Sequence, residues 1–222
     1  MSKGCIIKLK FLIQKIIWKS IISKQTDINI MTTDKLTIRK LNIIEVISTY
    51  NRYLKNDFPA NERKPLFVIL KSIIGGFYES LGCFNEENKL VGYLFLVSFG
   101  KNYLIDYLAV EKELRGTGIG SYLLNHLTEY YKDAEAILLE VEDPEYMATK
   151  PEEETANKRI EFYYRNGYVD TKVKTITFGA HFIILQHESI IKDADTVNYL
   201  YTCIYGRSMS KKVLEKNILS FF

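Results

Sequence analysis

Cysteine, histidine and long apolar runs are all scarce in this chain, and each scarcity excludes something. Three cysteines, Cys5, Cys83 and Cys203, stand far apart and form no C-x-x-C pair. That usage excludes a dense disulfide framework and the common zinc spacings, and fits a reduced, cytoplasmic protein. Three histidines, His126, His181 and His187, are scattered with no Cys or Asp pattern beside them, so no metal site is expected,. No Ser-His-Asp or Cys-His arrangement can be defended from their spacing. No uncharged apolar stretch approaches the roughly 18–20 residues of a membrane span. What is present is a hydrophobic fraction of 47% with 13% aromatics over 222 residues, enough for one sizeable core,.

Charge is divided unevenly. Residues 1–31 hold Lys3, Lys8, Lys10, Lys15, Lys19 and Lys24 against Asp27, a net of +5, which leaves −2 for the rest of a chain at +3. A mildly acidic main domain argues against nucleic acid as its partner. In "CIIKLKFLIQKIIWKSII" lysines interrupt every apolar run, which breaks both a membrane span and a signal-peptide core. Two readings of this basic, apolar extension stand. One is an upstream segment of a chain whose start is Met31, where "MTTDKLTIRKL" opens a first strand. The other is an amphipathic helix with Trp18 that docks or contacts a membrane surface through residues 1–24.

The expected organisation is an extension over 1–31, a main domain over 32–188 and a helical tail over 189–222. Residues 35–41 alternate as a strand, and Asn42 can cap a helix over 43–54. A second helix over 66–76 ends at Gly75-Gly76. Residues 77–84, 89–99 and 103–110 read as three antiparallel strands. Helical spacing returns over 119–131, with Ile119, Leu123, Leu127 and Tyr130 on one face. Then come a strand over 136–142, a helix over 156–166 and strands over 168–177 and 180–187. Short helices over 193–204 and 210–219 close the chain. The acidic run from Glu140 to Glu154 reads as a solvated loop or as an attractor for a cationic amine. This order is a mixed α/β (α+β) sheet, not a doubly wound parallel one.

Between the third strand of the meander and its helix lies "RGTGIG", Arg115 to Gly120. Glycines let backbone N–H groups approach a ligand, and an opening helix presents unpaired N–H groups and a positive dipole end. That is an anion cradle. A Walker loop fails because Ser121-Tyr122 follows Gly120 where Lys-Ser/Thr is needed. A dinucleotide loop fails because Ser121 replaces the third glycine and a meander precedes it. A glycine-rich helix start with no ligand leaves three alternating glycines without a reason for their entropic cost.

The pattern Arg115-x-x-Gly118-x-Gly120 resembles the acyl-CoA-binding signature of the GNAT superfamily of N-acyltransferases. "YLIDYLAVEKELRGTGIGSYLL" is similar to that family's fourth strand, loop and third helix, and "RIEFYYRNGY" to its later helix motif. The resemblance covers about residues 32–188. It implies a mostly antiparallel sheet of six to seven strands with a central splayed strand pair and helices on both faces. It also implies an acetyl-CoA-dependent N-acetyltransferase acting on a small-molecule or peptide amine by direct attack, with no metal. The backbone N–H groups of Arg115, Gly116, Thr117, Gly118, Ile119 and Gly120 would hold the coenzyme diphosphate, and Leu108 and Val110 its pantetheine amides. Tyr163 matches the family's tyrosine near the thiol and is the expected general acid, with Tyr164 as the alternative. Asn157 is a further expected cofactor contact, one position away from the family's asparagine, where Ala156 stands. Asp106 is the expected base, directly or through water, with Glu140 and Glu142 as alternatives. The acceptor groove is expected from residues 42–76 and 143–188. Helices carrying Tyr199, Tyr201 and Tyr205 cover one side of it or form a homodimer contact. The alternative function is a non-catalytic acyl-CoA-binding module.

Overall fold

Strand β1 (Thr37–Lys40) runs into helix α1 (Ile43–Thr49) through a capping box. The Asn42 side chain accepts from the Glu45 N–H at 3.0 Å, and the Glu45 carboxylate accepts from the Asn42 N–H at 2.9 Å,. These elements come from a computed structural model in which residues 35–221 are described. The expectations for residues 1–31 lie outside those residues. The first helix widens into a π-helical turn over Tyr50–Leu54 and ends in an α-turn over Lys55–Asp57, with Tyr50 and Leu54 buried. Helix α2 (Leu66–Ile74) follows Pro65 and stops at Gly75, ahead of Gly76 at φ 73°,.

Strands β2 (Tyr78–Phe84), β3 (Leu90–Phe99) and β4 (Asn102–Val110) form the expected antiparallel meander. Helix α3 (Ile119–Tyr130) buries Ile119, Leu123, Leu124 and Leu127. Tyr130, expected on the buried face, is exposed, and Leu124 is buried instead. After β5 (Ala136–Glu142), helix α4 (Lys150–Arg165) begins a turn and a half before the expected 156. Thr149 and Glu152 form a second capping box there, with Pro151 in the first turn,. Most of the acidic run after 150 is therefore helix, not loop.

Strands β6 (Tyr168–Thr177) and β7 (Ala180–His187) are followed by α5 (Ala194–Gly206), α6 (Lys211–Asn217) and β8 (Ile218–Phe221). The sheet has eight strands in the order β1-β2-β3-β4-β5-β7-β6-β8, one more than the six to seven expected. The extra strand is β8, which pairs antiparallel with β6 where the last helix was expected to continue.

Helices cover both faces of the sheet. On one face Val46, Tyr50, Leu54 and Ile69 pack with Val197, Leu200, Tyr201, Ile204 and Tyr205 of α5 over β2, β3 and β4. The α5 residues repeat at the spacing of one helical stripe. Helices α3 and α4 lie against the other face. Gly92 on β3 has no Cβ because one would sit 3.1 Å from Leu123 Cδ1 of α3.

The centre of the sheet is forked. Strands β4 and β5 pair in parallel only from Asn102↔Ala136 to Ile105↔Leu139. The next residue, Asp106, is the extra one in a bulge: Phe95 pairs with Tyr107 and Leu96 with Ile105. A bulge bends its strand away from a neighbour. Beyond it, 107–110 stay with β3 and 140–142 with β7, so the two facing strand edges part.

Candidate active site

The glycine loop sits on the α3–α4 side of this fork. Gly116 at φ 82° and Gly118 at φ 94° adopt the left-handed conformation, and a Cβ on either would meet nothing within 4 Å. Both positions therefore face open space and need glycine for the backbone alone. Gly118 is the N-cap of α3, and no side chain caps the helix. Among the described residues the N–H groups of Gly116, Gly118, Ile119 and Gly120 have no backbone partner, while those of Arg115 and Thr117 make long turn contacts of 3.4 Å,. Thr117 Oγ1 donates to the Leu114 carbonyl at 2.7 Å. Arg115 Nε donates to the Val110 carbonyl at 3.2 Å, and its Nη2 reaches Asp57 Oδ1 at 3.3 Å. Asp57 also accepts from the Tyr93 hydroxyl at 2.9 Å, which ties the loop to the first helix. Backbone donors and a helix dipole without a dedicated lysine fit a diphosphate such as that of coenzyme A.

A cavity of about 1180 Å³ starts at this loop and passes through the fork to the α5 face. Leu108 and Val110 line it from the open edge of β4. From α4 and its C-cap it is lined by Thr155, Lys158, Arg159, Phe162, Tyr163, Arg165 and Asn166, which is one helical face,. Asn157 is out of phase with that face: it is exposed and does not line the cavity. Tyr164, next to Tyr163, is likewise turned to solvent. Gly120 permits the close approach of α3 to α4, since a Cβ there would stand 3.0 Å from Phe162 Cζ.

Tyr163 is held edge-on between the rings of Phe162 and Tyr168, and its hydroxyl has no hydrogen-bond partner among the described residues. Burial pushes its pKa up to about 12, with Arg159 acting the other way. It is a protonated donor at neutral pH.

Two carboxylates flank the fork, Asp106 on β4 and Glu140 on β5. Asp106 is already committed: the Lys64 ammonium pairs with one oxygen and the Tyr78 hydroxyl donates to the other. Lys64 is fixed in turn by its backbone, whose N–H donates to Tyr107 Oη at 2.7 Å and whose carbonyl accepts from the Tyr50 hydroxyl at 3.1 Å. Glu140 differs. It accepts from the hydroxyls of Tyr201 and Tyr205, the latter at 2.6 Å, and no cation among the described residues reaches ion-pair distance of it. Burial raises its pKa above the ordinary carboxylate value, with the two tyrosine hydrogen bonds opposing the rise,. Glu62 is raised as well, by burial and by the charge of Glu140. Glu142, the third candidate, is paired with Arg159.

Sequence reasoning placed Asp106, Leu108, Val110, the 115–120 loop and Tyr163, and the structure brings all of these to the cavity except the side chains of Thr117 and Ile119. It missed Lys64 and Tyr78, which have no local signal because their partner lies 42 and 28 residues away. None of the three histidines lines the cavity: His126 stacks on Tyr130, His181 stacks on Tyr146, and His187 meets Tyr168 edge-on. Among the described residues no cluster of His, Cys, Asp and Glu could hold a metal, and no helix is long and apolar enough to cross a membrane.

Comparison with known proteins gives one consistent result. Residues 79–170 match the family model of the GNAT acetyltransferase domain. An uncharacterized N-acetyltransferase of Methanocaldococcus jannaschii is 36% identical over 110 residues, 46% of this chain. The chain spans 63% of the length of that curated relative. Among solved structures, a protein assigned to the GNAT family from Bacteroides thetaiotaomicron superimposes with a TM-score of 0.59 at 23% identity, covering 77% of this chain and 98% of that one. Spermidine N-acetyltransferase from Vibrio cholerae, in complex with CoA and spermine, gives 0.53 at 15% identity over 69% of this chain and 95% of its own. The ribosomal-protein-S18-alanine N-acetyltransferase of Escherichia coli gives 0.53 at 16%, over 72% and 97%. Those likenesses establish the fold, and the family match places the resemblance to the GNAT acetyltransferase domain over residues 79–170.

Proposed function

We propose that the protein transfers an acetyl group from acetyl-CoA to a primary amine by direct attack, with no covalent enzyme intermediate. The observation that carries this reading is the single cavity through the sheet fork, with an uncapped anion cradle on one side and carboxylates on the other. Acetyl-CoA, when bound, supplies an activated thioester carbonyl. The chain's N–H groups at Gly116, Gly118, Ile119 and Gly120 hold the diphosphate. The open edge of β4 at Leu108 and Val110 offers backbone groups to the pantetheine arm, although the Val110 carbonyl already serves Arg115. Asn157, off the cavity, has no role in this reading.

Holding both reactants in one cavity supplies much of the rate through proximity. A cavity carboxylate takes a proton from the arriving ammonium, so that the nitrogen reaches the carbonyl neutral. As the C–N bond forms and the C–S bond breaks, Tyr163 gives a proton to the departing sulfur. The second nitrogen proton restores the phenol through solvent. The functional unit in this reading extends past residue 188, because Tyr201 and Tyr205 of α5 reach Glu140. Cys83 and Cys203 are free thiols, in keeping with a reducing compartment, and we assign the reaction to the cytoplasm,.

Thiol release from acetyl-CoA, measured across a panel of amines and peptides, tests the reaction. Calorimetric titration with coenzyme A tests the cradle. Saturable coenzyme binding and amine-dependent thiol release are expected. Binding without release from any acceptor would leave only a coenzyme-binding module.

A further inference from the structure

The α5-face end of the cavity is walled by residues beyond 170, outside the stretch that matches the GNAT domain. Phe178 and Phe182 come from the β6–β7 hairpin, Tyr205 from α5, Met209 from the following turn and Val213 from α6. This wall is mainly apolar. Beside it stands Glu140, a carboxylate held only by neutral donors and bonded to the wall's own Tyr205; Glu62 lines the same cavity. Phe178 adds a second observation. Its φ is 50°, in the left-handed region where a bulky residue is strained and Asn or Gly is usual,. Its N–H is tied to the Asn217 carbonyl at 2.8 Å, so the strained turn is anchored to the end of α6. A large ring kept at a costly backbone position, lining a cavity and 44% exposed, points to a role for the ring itself,.

We propose that this end of the cavity receives a primary amine carried on an apolar stem. Glu140 holds the ammonium and takes its proton, and Phe178, Phe182 and Met209 enclose the stem. This rests on the acetyl-transfer reading above. Glu140 is suited to the task where Asp106 is not: a cation arriving at Asp106 would have to displace Lys64, whereas at Glu140 it meets two hydroxyls that can keep their bonds to the carboxylate. Tyr201 and Tyr205 are positioning residues, fixed in turn by burial and by Thr177 Oγ1, 2.7 Å from Tyr201 Oη. The proton balance is simple: the ammonium loses one proton to Glu140, and the neutral nitrogen keeps the lone pair that forms the C–N bond.

The test uses the full chain and measures binding of 2-phenylethylamine and of spermidine, with and without coenzyme A, alongside thiol release from acetyl-CoA. We expect 2-phenylethylamine to bind more tightly than spermidine. Glu140→Gln should weaken it on the order of a hundredfold, the cost of leaving a charge without its buried partner. Phe178→Asn keeps a residue that accepts the left-handed turn, so it should fold, and it should weaken the amine about tenfold through lost apolar contact. Coenzyme A affinity should not change in either variant. Tighter binding of spermidine, or wild-type binding of 2-phenylethylamine by Glu140→Gln, would overturn the inference. Glu140-dependent binding with no thiol release would uphold the pocket and sink acetyl transfer instead.

Discussion

Glu140 carries a cost that function would explain. Its pKa is raised in the folded protein, chiefly by burial, so the fold binds a proton there more tightly than the unfolded chain does,. Its contribution to stability is therefore fully present below the ordinary glutamate value and is lost as pH rises through the raised value. At neutral pH, Glu140→Gln should unfold at a higher temperature than the native protein, by about 2–4 °C for each ~1 kcal/mol recovered, while acetyl transfer is lost. Thermal melts at pH 5 and pH 7.5 check the sign: the advantage of the variant must shrink at the lower pH. Tyr163 makes the complementary prediction. With its pKa pushed up to about 12, it stays protonated through pH 10, so no alkaline loss of rate belongs to it there. Tyr163→Phe should lower kcat by about 10²–10⁴-fold, the usual span for general acid catalysis, with coenzyme affinity retained in calorimetry.

At the scale of elements, the α3–α4 contact sets how closely the cradle approaches the cavity. Gly120→Ala would press a methyl against Phe162 at 3.0 Å and should cost about 1–3 kcal/mol from overpacking,. It should also weaken coenzyme A binding, because the α3 N-terminus must shift. A variant with native melting and native affinity would refute that account. Elements also show what could be read from the chain alone. The meander, the glycine loop and α3 were legible because period and turn chemistry agree there. The start of α4 was not, although Thr149-x-x-Glu152 with Pro151 is a helix-start pattern; the acidic residues around it read more strongly as solvated loop. Strand β8 was illegible for another reason. Four residues that follow a short helix become a strand only because the edge of β6 is there to pair with them. The same holds for Lys64 with Asp106 and Tyr78, whose meeting is made by tertiary structure and leaves no trace in local spacing.

For the whole molecule, the segment after residue 188 is part of the core. Val197, Tyr201 and Ile204 are wholly buried against a sheet face that also carries α1 and α2. Ending the chain at 188 would expose that face and remove both tyrosine donors from Glu140. Each fully buried large side chain lost forfeits roughly 1.5–3 kcal/mol of burial, against a typical total of about 5–15 kcal/mol. The truncated chain should therefore fail to give a cooperative melt in circular dichroism; a native-like transition would show the segment to be dispensable.

The fork has a mechanical consequence. Two four-strand leaves, β1–β4 and β5–β8, share only four rungs of ladder, from Asn102 to Ile105 on one side and Ala136 to Leu139 on the other. A seam closed at one end and open at the other leaves a gap that no backbone ladder bridges, and a ligand lying in that gap would act as a splint. The coenzyme arm, laid along the free edge at Leu108 and Val110, would supply the rungs that the bulge at Asp106 took away. Amide exchange along 107–110 should then slow markedly when coenzyme A is added, and the leaves should resist being pulled apart in proportion to its occupancy.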